Sequence, residues 1–392
     1  MHEVLFGGAE KVAIEEVRAL NAIGHEAVLI VLRRTESTAF KDHLVGSKQI
    51  FFSDLLPWPL RLSFRIPLFR FFSLFHVTYA IFGRFVSIPE KLDAIIAHGT
   101  YTCFSGIAIA RQKKIPLLAL IWDPVVYILN KSYFSTQAKR ASLLGSLAFA
   151  IGQIIDKWIC RNSAAVLTGS KFHASKLRTL VRSPEKVKLI IPGVRLRQSV
   201  RSDRKDYAML ATSWKEGKEP EYVLELAQRL RQIKFMVAGA WVTEGFKRRF
   251  LSELAERGVE DRVSVIGAVD ELRLLDLYSQ AVVFLQIKAD VGFGLPALEA
   301  ASQGCTFIIP EGQGVCDIFA SGSDGLMVSE KDTPQIAKYL ENLFQNRATA
   351  IQMGKSAWMK AHSYSWARHA QELVEICDTY RAKPSERGPV DD

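Results

Sequence analysis

The chain reads as an α/β protein built from two doubly wound, Rossmann-like parallel domains facing each other, and three observations predict this. Short apolar runs alternate with helical patterns along most of the 392 residues, as expected where buried parallel strands are joined by crossover helices. A polar, charged interval over 196–206 separates two such series. In the second series a glycine-flanked helix start, Gly292-Phe293-Gly294-Leu295-Pro296-Ala297-Leu298-Glu299, follows an apolar run, and doubly wound folds bind ligands at the carboxyl ends of their strands.

In the first series, Gly7-Gly8-Ala9-Glu10-Lys11 opens a helix with Val12, Val17 and Leu20 on one face. It stops at Gly24, and 27–32 reads as a buried strand. Strands follow over 92–97, 117–121, 164–168 and 187–191, with a helix over 101–112. With only Glu3 to Phe6 available as a strand ahead of the glycine loop, the first strand of such a domain is expected to be nearly absent: either the chain begins downstream of its natural start or the domain has a stub there. The second series offers strands over 208–212, 233–238, 263–266, 282–286 and 306–309. Helices are expected near 220–231, 246–257, 270–279 and 296–303. A helix over 333–346 is followed by one over 366–380. The domains are therefore placed at 1–199 and 206–360, with a closing helix over 361–382 and a disordered tail over 383–392.

With 48% hydrophobic residues the chain can fill two cores. Five cysteines (Cys103, Cys160, Cys305, Cys316, Cys377) show no metal-ligand or redox spacing, and their odd number argues against a disulfide framework. No signal peptide and no bilayer-spanning apolar stretch is visible, so a reducing, cytoplasmic location is expected. The net charge of +10 is unevenly spread: residues 1–200 hold 27 Lys and Arg against 13 Asp and Glu, and the remainder 24 against 28. A basic first half suits an anionic acceptor or membrane surface, and no nucleic-acid-reading module accompanies it. Residues 51–86 contain nine of the 23 phenylalanines, interleaved with Arg61, Arg65, Arg70 and Arg84. Two short helices broken at Pro67 would suit the headgroup layer of the inner face of a cell membrane, and equally the closing of the first domain's core.

The 292–304 stretch reads as an anion-binding turn. Two glycines let backbone N–H groups approach a phosphate, Pro296 suits the first position of a helix, and Gly304 supplies a stop. Glu299 falls about one turn inside. A carboxylate there repels phosphate, so it should hold neutral hydroxyls beside it, which points to a nucleotide carrying a sugar. Two other readings stand beside this one. Gly292, Gly294 and Ala297 fit a dinucleotide fingerprint with Glu311 downstream, although 287–291 separate the strand from Gly292. A purely structural tight turn is the second.

Gly-Phe-Gly-Leu-Pro-Ala-Leu-Glu-Ala, followed by Gly304-Cys305, a strand, Gly312-Gln313-Gly314 and Gly325-Leu326-Met327-Val328, resembles the family 4 glycosyltransferases of the GT-B fold. Gly7-Gly8-Ala9-Glu10-Lys11 resembles that family's first glycine loop, 190–194 its interdomain strand end, and Tyr364-Ser365-Trp366 the start of its closing helix. The resemblance implies transfer of a sugar from a nucleotide diphosphate, UDP or GDP, with retention of configuration and no obligatory metal. The sequence has no Asp-x-Asp motif. Glu299 matches the glutamate that holds the donor ribose, and Lys218 the lysine that neutralises the leaving diphosphate, with Lys215 as a nearby substitute. Gly7, Gly8, Gly292, Phe293, Gly294 and Leu295 would surround the donor, with base contacts near Gly267 and Ala268.

Three departures stand out: Val291 where a second glutamate is usual, Ser213 near a usual diphosphate arginine, and Trp122 where many members have an acceptor-side histidine. His98 or Asp123 could compensate on the acceptor side. The resemblance implies a hexosyltransferase with a lipid-linked or glycan acceptor and a peripheral membrane location. The departures leave open a catalytically silent module that binds a nucleotide sugar or acts as a scaffold, and a dehydrogenase stands third.

Overall fold

The computed structural model describes residues 8–31, 48–55, 88, 90–129, 143–215, 217–288 and 292–381. Gly7, Val291, residues 3–6, residues 56–86 of the phenylalanine-rich stretch and the tail 383–392 lie outside them. The chain divides into two compact units, Met1–Ile191 with Trp366–Asp392, and Pro192–Ser365.

The first unit opens with helix α1 (Gly8–Ala22). Strand β1 (Leu29–Val31) pairs in parallel with β2 (Gln49–Phe51), and Ala13, Ile14 and Val17 of α1 pack with Leu29 and Val31. A second sheet runs β3 (Ile95–His98), β4 (Leu117–Leu120), β5 (Ala165–Thr168), β6 (Val187–Leu189), all parallel. Every residue of β4 and β5 is buried, as parallel strands covered on both faces must be. Helix α2 (Thr100–Lys113) joins β3 to β4, and α3 (Leu143–Asn162) precedes β5. Helix α4 (Lys171–Arg178) is capped by Ser170, whose Oγ accepts from the His173 N–H at 3.4 Å. The C-terminal helix Trp366–Arg381 belongs to this unit and buries Leu373 with Leu118, Leu120, Ala165, Leu167 and Ile190.

The sequence offered no helix at α3 or α4. Apolar residues run nearly round α3, leaving Leu147, Ile151 and Ile154 exposed, so its 3.6-residue pattern is faint.

The second unit is one six-stranded parallel sheet: β7 (Tyr207–Ala211), β8 (Lys234–Ala238), β9 (Val263–Gly267), β10 (Val283–Leu285), β11 (Thr306–Pro310) and β12 (Leu326–Val328). Their spatial order is β12-β11-β10-β7-β8-β9. Counted within the unit this is 6-5-4-1-2-3, the order of a nucleotide-binding doubly wound fold. Helices α5 (Glu221–Arg229), α6 (Glu244–Glu256), α7 (Glu271–Gln280), α8 (Leu295–Ser302), α9 (Thr333–Gln345) and α10 (Arg347–Ala361) complete it. Thr243, Asp270 and Asp332 cap α6, α7 and α9 through their side-chain oxygens.

One expectation needs correcting. The helix over 333–346 is not followed directly by the C-terminal one, because α10 lies between. Only Asn346 separates α9 from α10. The buried face of α10 is Ala350, Met353, Gly354, Ala357 and Ala361, mostly small residues that carry little hydrophobic periodicity. Gly354 passes so close to the turn after α8 that a Cβ there would sit 2.1 Å from the Gly304 carbonyl oxygen. The polar stretch 196–206 is bonded into this unit. The Arg197 carbonyl accepts from Trp358 Nε1 at 3.0 Å, and the Arg204 guanidinium donates to the Ser279 and Gly304 carbonyls.

Candidate functional site

In the second unit the strand order reverses between the parallel neighbours β7 and β10, and there the carboxyl ends of the two strands leave a recess. Thr212, Lys218, Glu219, Gln286, Lys288 and Pro296 line it, and its volume is about 30 Å3. That is room for one small group, a subsite rather than a whole nucleotide pocket.

The loop leaving β7 is fixed by Trp214. Its indole N–H donates to the Ala238 carbonyl at 2.8 Å, its backbone N–H to the Ala240 carbonyl at 2.8 Å, and its carbonyl accepts from Val242 at 2.9 Å. Gly239 permits the approach: a Cβ there would lie 1.8 Å from the Thr212 carbonyl oxygen, and its φ is +116°. Beyond Trp214 the Lys218 N–H donates to the Lys215 carbonyl at 3.0 Å, closing a turn with Gly217 at φ +88°. The turn brings Lys218 to the recess, past Ser213 in the same loop.

Glu219 follows with φ +50°, a left-handed conformation costing a non-glycine residue roughly 1–2 kcal/mol. Its carboxylate meets Lys288 Nζ at 2.5 Å and Lys331 Nζ at 2.6 Å. Burial alone raises the Glu219 carboxyl's pKa, but the two ammonium groups outweigh it and hold the group below its usual range.

The loop leaving β10 is braced by Gln286, whose amide donates to the Lys288 carbonyl at 3.0 Å and to Gln313 Oε1 at 3.1 Å. Gly314 N–H donates to the Gly292 carbonyl at 3.2 Å, and Val315 N–H to that of Phe293 at 2.6 Å. Gly292 has φ +116° and Gly294 φ +89°. At Gly294 a Cβ would fall 2.8 Å from Val315 Cγ1 and 2.9 Å from Gln313 Oε1, so space and conformation both require glycine. Phe293 and Leu295 are buried. Helix α8 starts at Leu295 with Gly294 as its cap, so Pro296 is its second residue, not the first as expected. Glu299 is buried, one turn in. Burial first, then the Glu299 charge, pushes the Tyr278 phenol well above its usual range. Gly304, at φ +76°, follows the helix end. Gly267 ends β9 with its carbonyl accepting from Gly239 N–H at 2.7 Å, and Ala268 is exposed beside it.

The remaining expected residues lie in the first unit. Gly8 is the first residue of α1. His98 ends β3 with its side chain 7% exposed, its Nε2 lying 2.7 Å from Glu16 Oε2. The other Glu16 oxygen is 2.8 Å from His369 Nε2. Trp122 and Asp123 leave the carboxyl end of β4, ahead of a helical turn at Val125–Ile128. Asp156 of α3 caps that turn, accepting from Val125 N–H at 2.9 Å and Val126 N–H at 3.3 Å. Burial, only partly offset by these bonds, pushes its carboxyl up to about 6.

Lys218, Gly292, Phe293, Gly294, Leu295 and Glu299 thus share the strand-reversal region of one unit, whereas Gly8, His98, Trp122 and Asp123 belong to the other. Sequence reasoning missed Trp214, Glu219, Gln286, Lys288 and Asp156. Only Trp214 carried a signal, as a large aromatic in an otherwise polar loop. Among the described residues no group of three His, Cys, Asp or Glu is arranged to hold a metal ion. No described helix is long and apolar enough to cross a membrane.

The model for Glycosyltransferase Family 4 matches residues 6–198, and that for Glycosyl transferases group 1 matches 195–358. The D-inositol 3-phosphate glycosyltransferase of Corynebacterium urealyticum is 30% identical over 184 residues, 44% of this chain and 43% of that protein. The match thus spans less than half of that relative. An uncharacterized glycosyltransferase of Methanocaldococcus jannaschii is 23% identical over 309 residues, covering 73% of this chain and 75% of its own. Among solved structures, Anabaena HepE in complex with UDP-glucose superposes with a TM-score of 0.71 at 13% identity, over 97% of this chain and 98% of that one. Sucrose-phosphate synthase from Thermosynechococcus elongatus gives 0.73 at 18%, over 96% and 94%. These identities speak to fold alone. Because the two family models meet near residue 195 and run together from 6 to 358, the chain belongs to the family 4 glycosyltransferases, and its fold is GT-B.

Proposed function

We infer that the protein is a retaining glycosyltransferase that moves a hexosyl group from a nucleoside diphosphate sugar to an acceptor hydroxyl. One observation carries this reading: the recess at the β7–β10 reversal is flanked by a lysine on a fixed turn, Lys218, and by a glycine-built loop that opens α8. Lys218 neutralises the leaving diphosphate, and Glu299 holds ribose hydroxyls. Gly267 with Ala268 completes the donor surroundings within the second unit. The complex of Anabaena HepE with UDP-glucose favours UDP over GDP as the nucleotide.

In the reaction the acceptor oxygen forms a bond to the anomeric carbon on the face the diphosphate leaves. The bond from that carbon to the β-phosphate oxygen breaks, its electron pair stays on the diphosphate, and the acceptor's proton passes to a departing phosphate oxygen. Charge grows on that oxygen as the bond breaks, where a fixed cation is most effective. The first unit receives the acceptor, with His98, Trp122 and Asp123 on its side, and the second unit receives the donor. The acceptor is lipid-linked or a glycan, met at the inner face of the cell membrane. The exposed Leu147, Ile151 and Ile154, spaced along one face of α3 with Lys157 and Arg161 exposed beyond them, support that placement.

A panel of UDP-, GDP- and ADP-sugars, assayed for nucleoside diphosphate release with a crude glycolipid acceptor fraction, tests this. Wild type should turn over at least one donor, and Lys218→Ala and Glu299→Ala should each lose tenfold or more. Wild-type release no faster than that of both variants, on every donor, contradicts the reading and leaves a silent binding module.

A further inference from the structure

Among the described residues only three non-glycine positions have positive φ: Lys114, Glu219 and Lys331. Lys114 closes the C-terminus of α2, an ordinary place for a left-handed residue. The other two are ion-paired to each other beside the recess. Glu219 Oε2 holds Lys331 Nζ at 2.6 Å, and Glu219 Oε1 holds Lys288 Nζ at 2.5 Å. Two strained backbone positions joined by one carboxylate at a ligand recess mark a held geometry, since such strain persists only where surrounding contacts over-determine it.

The two lysines differ in what they face. Lys288 lines the recess together with Lys218, whereas Lys331 does not. Lys331 packs over the Tyr222 ring, 5.4 Å from its centroid, and its backbone N–H donates to the Ile287 carbonyl at 3.3 Å. Lys331 therefore serves as the outer anchor, tying Glu219 to the base of the β10 loop. Lys288 is the cation presented inward. Of the charged residues lining the recess, Lys218 and Lys288 are cationic and Glu219 anionic, which suits an anion. Gln286, donating to the Lys288 carbonyl, fixes the backbone from which the ammonium projects.

The geometry points to Lys288 as a second cationic contact for the diphosphate of the ligand, beside Lys218, with Glu219 as the residue that positions it. This rests on the nucleoside diphosphate reading above. It also brings a cation from the β10 loop to a recess whose β7 loop carries Ser213. Lysine acts as a point charge on a flexible stem, so its effect on a phosphate depends on what holds the stem. Here the holder is a carboxylate fixed from two sides.

The test is calorimetric binding of UDP, GDP and ADP, each beside its monophosphate, to wild type, Lys288→Gln, Glu219→Gln and Glu219→Gly, with melting temperatures measured in parallel. Wild type should bind one diphosphate more tightly than its monophosphate. Lys288→Gln should weaken that diphosphate about tenfold or more while changing the monophosphate less than threefold. Glu219→Gln should lower the same ratio in the same direction. Glu219→Gly relieves the left-handed strain, so its melting temperature should hold or rise while the diphosphate-to-monophosphate ratio falls. A structural role for Glu219 would move affinity and melting together. If wild type binds a diphosphate and Lys288→Gln binds it equally well, the Lys288 assignment is wrong and the broader reading stands. If Glu219→Gly keeps the wild-type ratio, the positioning role is wrong. If wild type binds no diphosphate, both readings fall together.

Discussion

His369 donates from both ring nitrogens, Nδ1 to the Ile191 carbonyl at 2.7 Å and Nε2 to Glu16 Oε1 at 2.8 Å. A carbonyl and a carboxylate can only accept, so this imidazole carries two protons and a charge, although it is almost wholly buried. Burial alone lowers its pKa, but the Glu16 carboxylate outweighs burial and raises it. Burial alone raises Glu16, and the pull of His98 together with bonds to both histidines lowers it to about 2. The helix Trp366–Arg381 is thereby tied to α1 within the first unit.

A pH dependence follows from these directions. The Glu16 contribution is present above the unfolded carboxyl value near 4.5 and is lost as pH falls toward 2. The His369 contribution is present below its ordinary value of 6.5 and is lost as pH rises through the raised value. Both are present together between about pH 4.5 and 6.5. Glu16→Gln should cost on the order of 3 kcal/mol in that window and flatten both limbs. Urea unfolding of both proteins from pH 2 to 9 checks this, and parallel curves for the two would contradict it.

Asp156 has the opposite sign. Its folded pKa, about 6, stands above the ordinary 3.8, so its fold-stabilising form is the protonated one. That contribution is complete below 3.8 and declines as pH rises through 6. Asp156→Asn removes the charge and keeps one acceptor oxygen for the Val125 N–H, with the amide nitrogen replacing the oxygen that accepts from Val126 at the longer 3.3 Å. Its stability should match wild type at pH 4 and exceed it by up to about 3 kcal/mol at pH 8. Equal stability at pH 8, measured by chemical denaturation, would show that the carboxylate is accommodated at no cost.

The glycines around Trp214 offer a steric contrast. Gly217 and Gly239 both have positive φ, but a Cβ at 217 meets nothing within 4 Å, whereas one at 239 meets the Thr212 carbonyl at 1.8 Å. Gly217→Ala should cost about 1 kcal/mol from backbone conformation alone. Gly239→Ala should cost more than about 3 kcal/mol, because backbone must move. Denaturation midpoints of the two variants distinguish them, and similar losses would mean the Thr212 strand end yields freely.

Fold and site were not equally legible in the sequence. Strands β4, β5, β7, β10 and β11 appear as apolar runs because both faces are covered, and Gly294 is informative because only glycine fits its φ and its contact with Val315. The place of Glu299 one turn inside α8 was readable from its spacing to that glycine. The Lys288–Glu219–Lys331 bridge was not, since its members come from three separate loops and nothing local marks a glutamate that adopts a left-handed backbone. Glu16, His98 and His369 are likewise brought together only by packing of α1 against β3 and against the last helix. Helix α10 escaped because alanine and glycine at its buried positions give close approach without a hydrophobic stripe.

The central claim, that the β7–β10 reversal of the second unit binds a nucleoside diphosphate through Lys218, is tested most directly by titration calorimetry. UDP, GDP and NAD are titrated into wild type and Lys218→Ala. The expected result is binding of UDP or GDP but not NAD, weakened about tenfold, or roughly 1.4 kcal/mol, in the variant. Binding of NAD alone, or nucleotide affinity unchanged by Lys218→Ala, would contradict it.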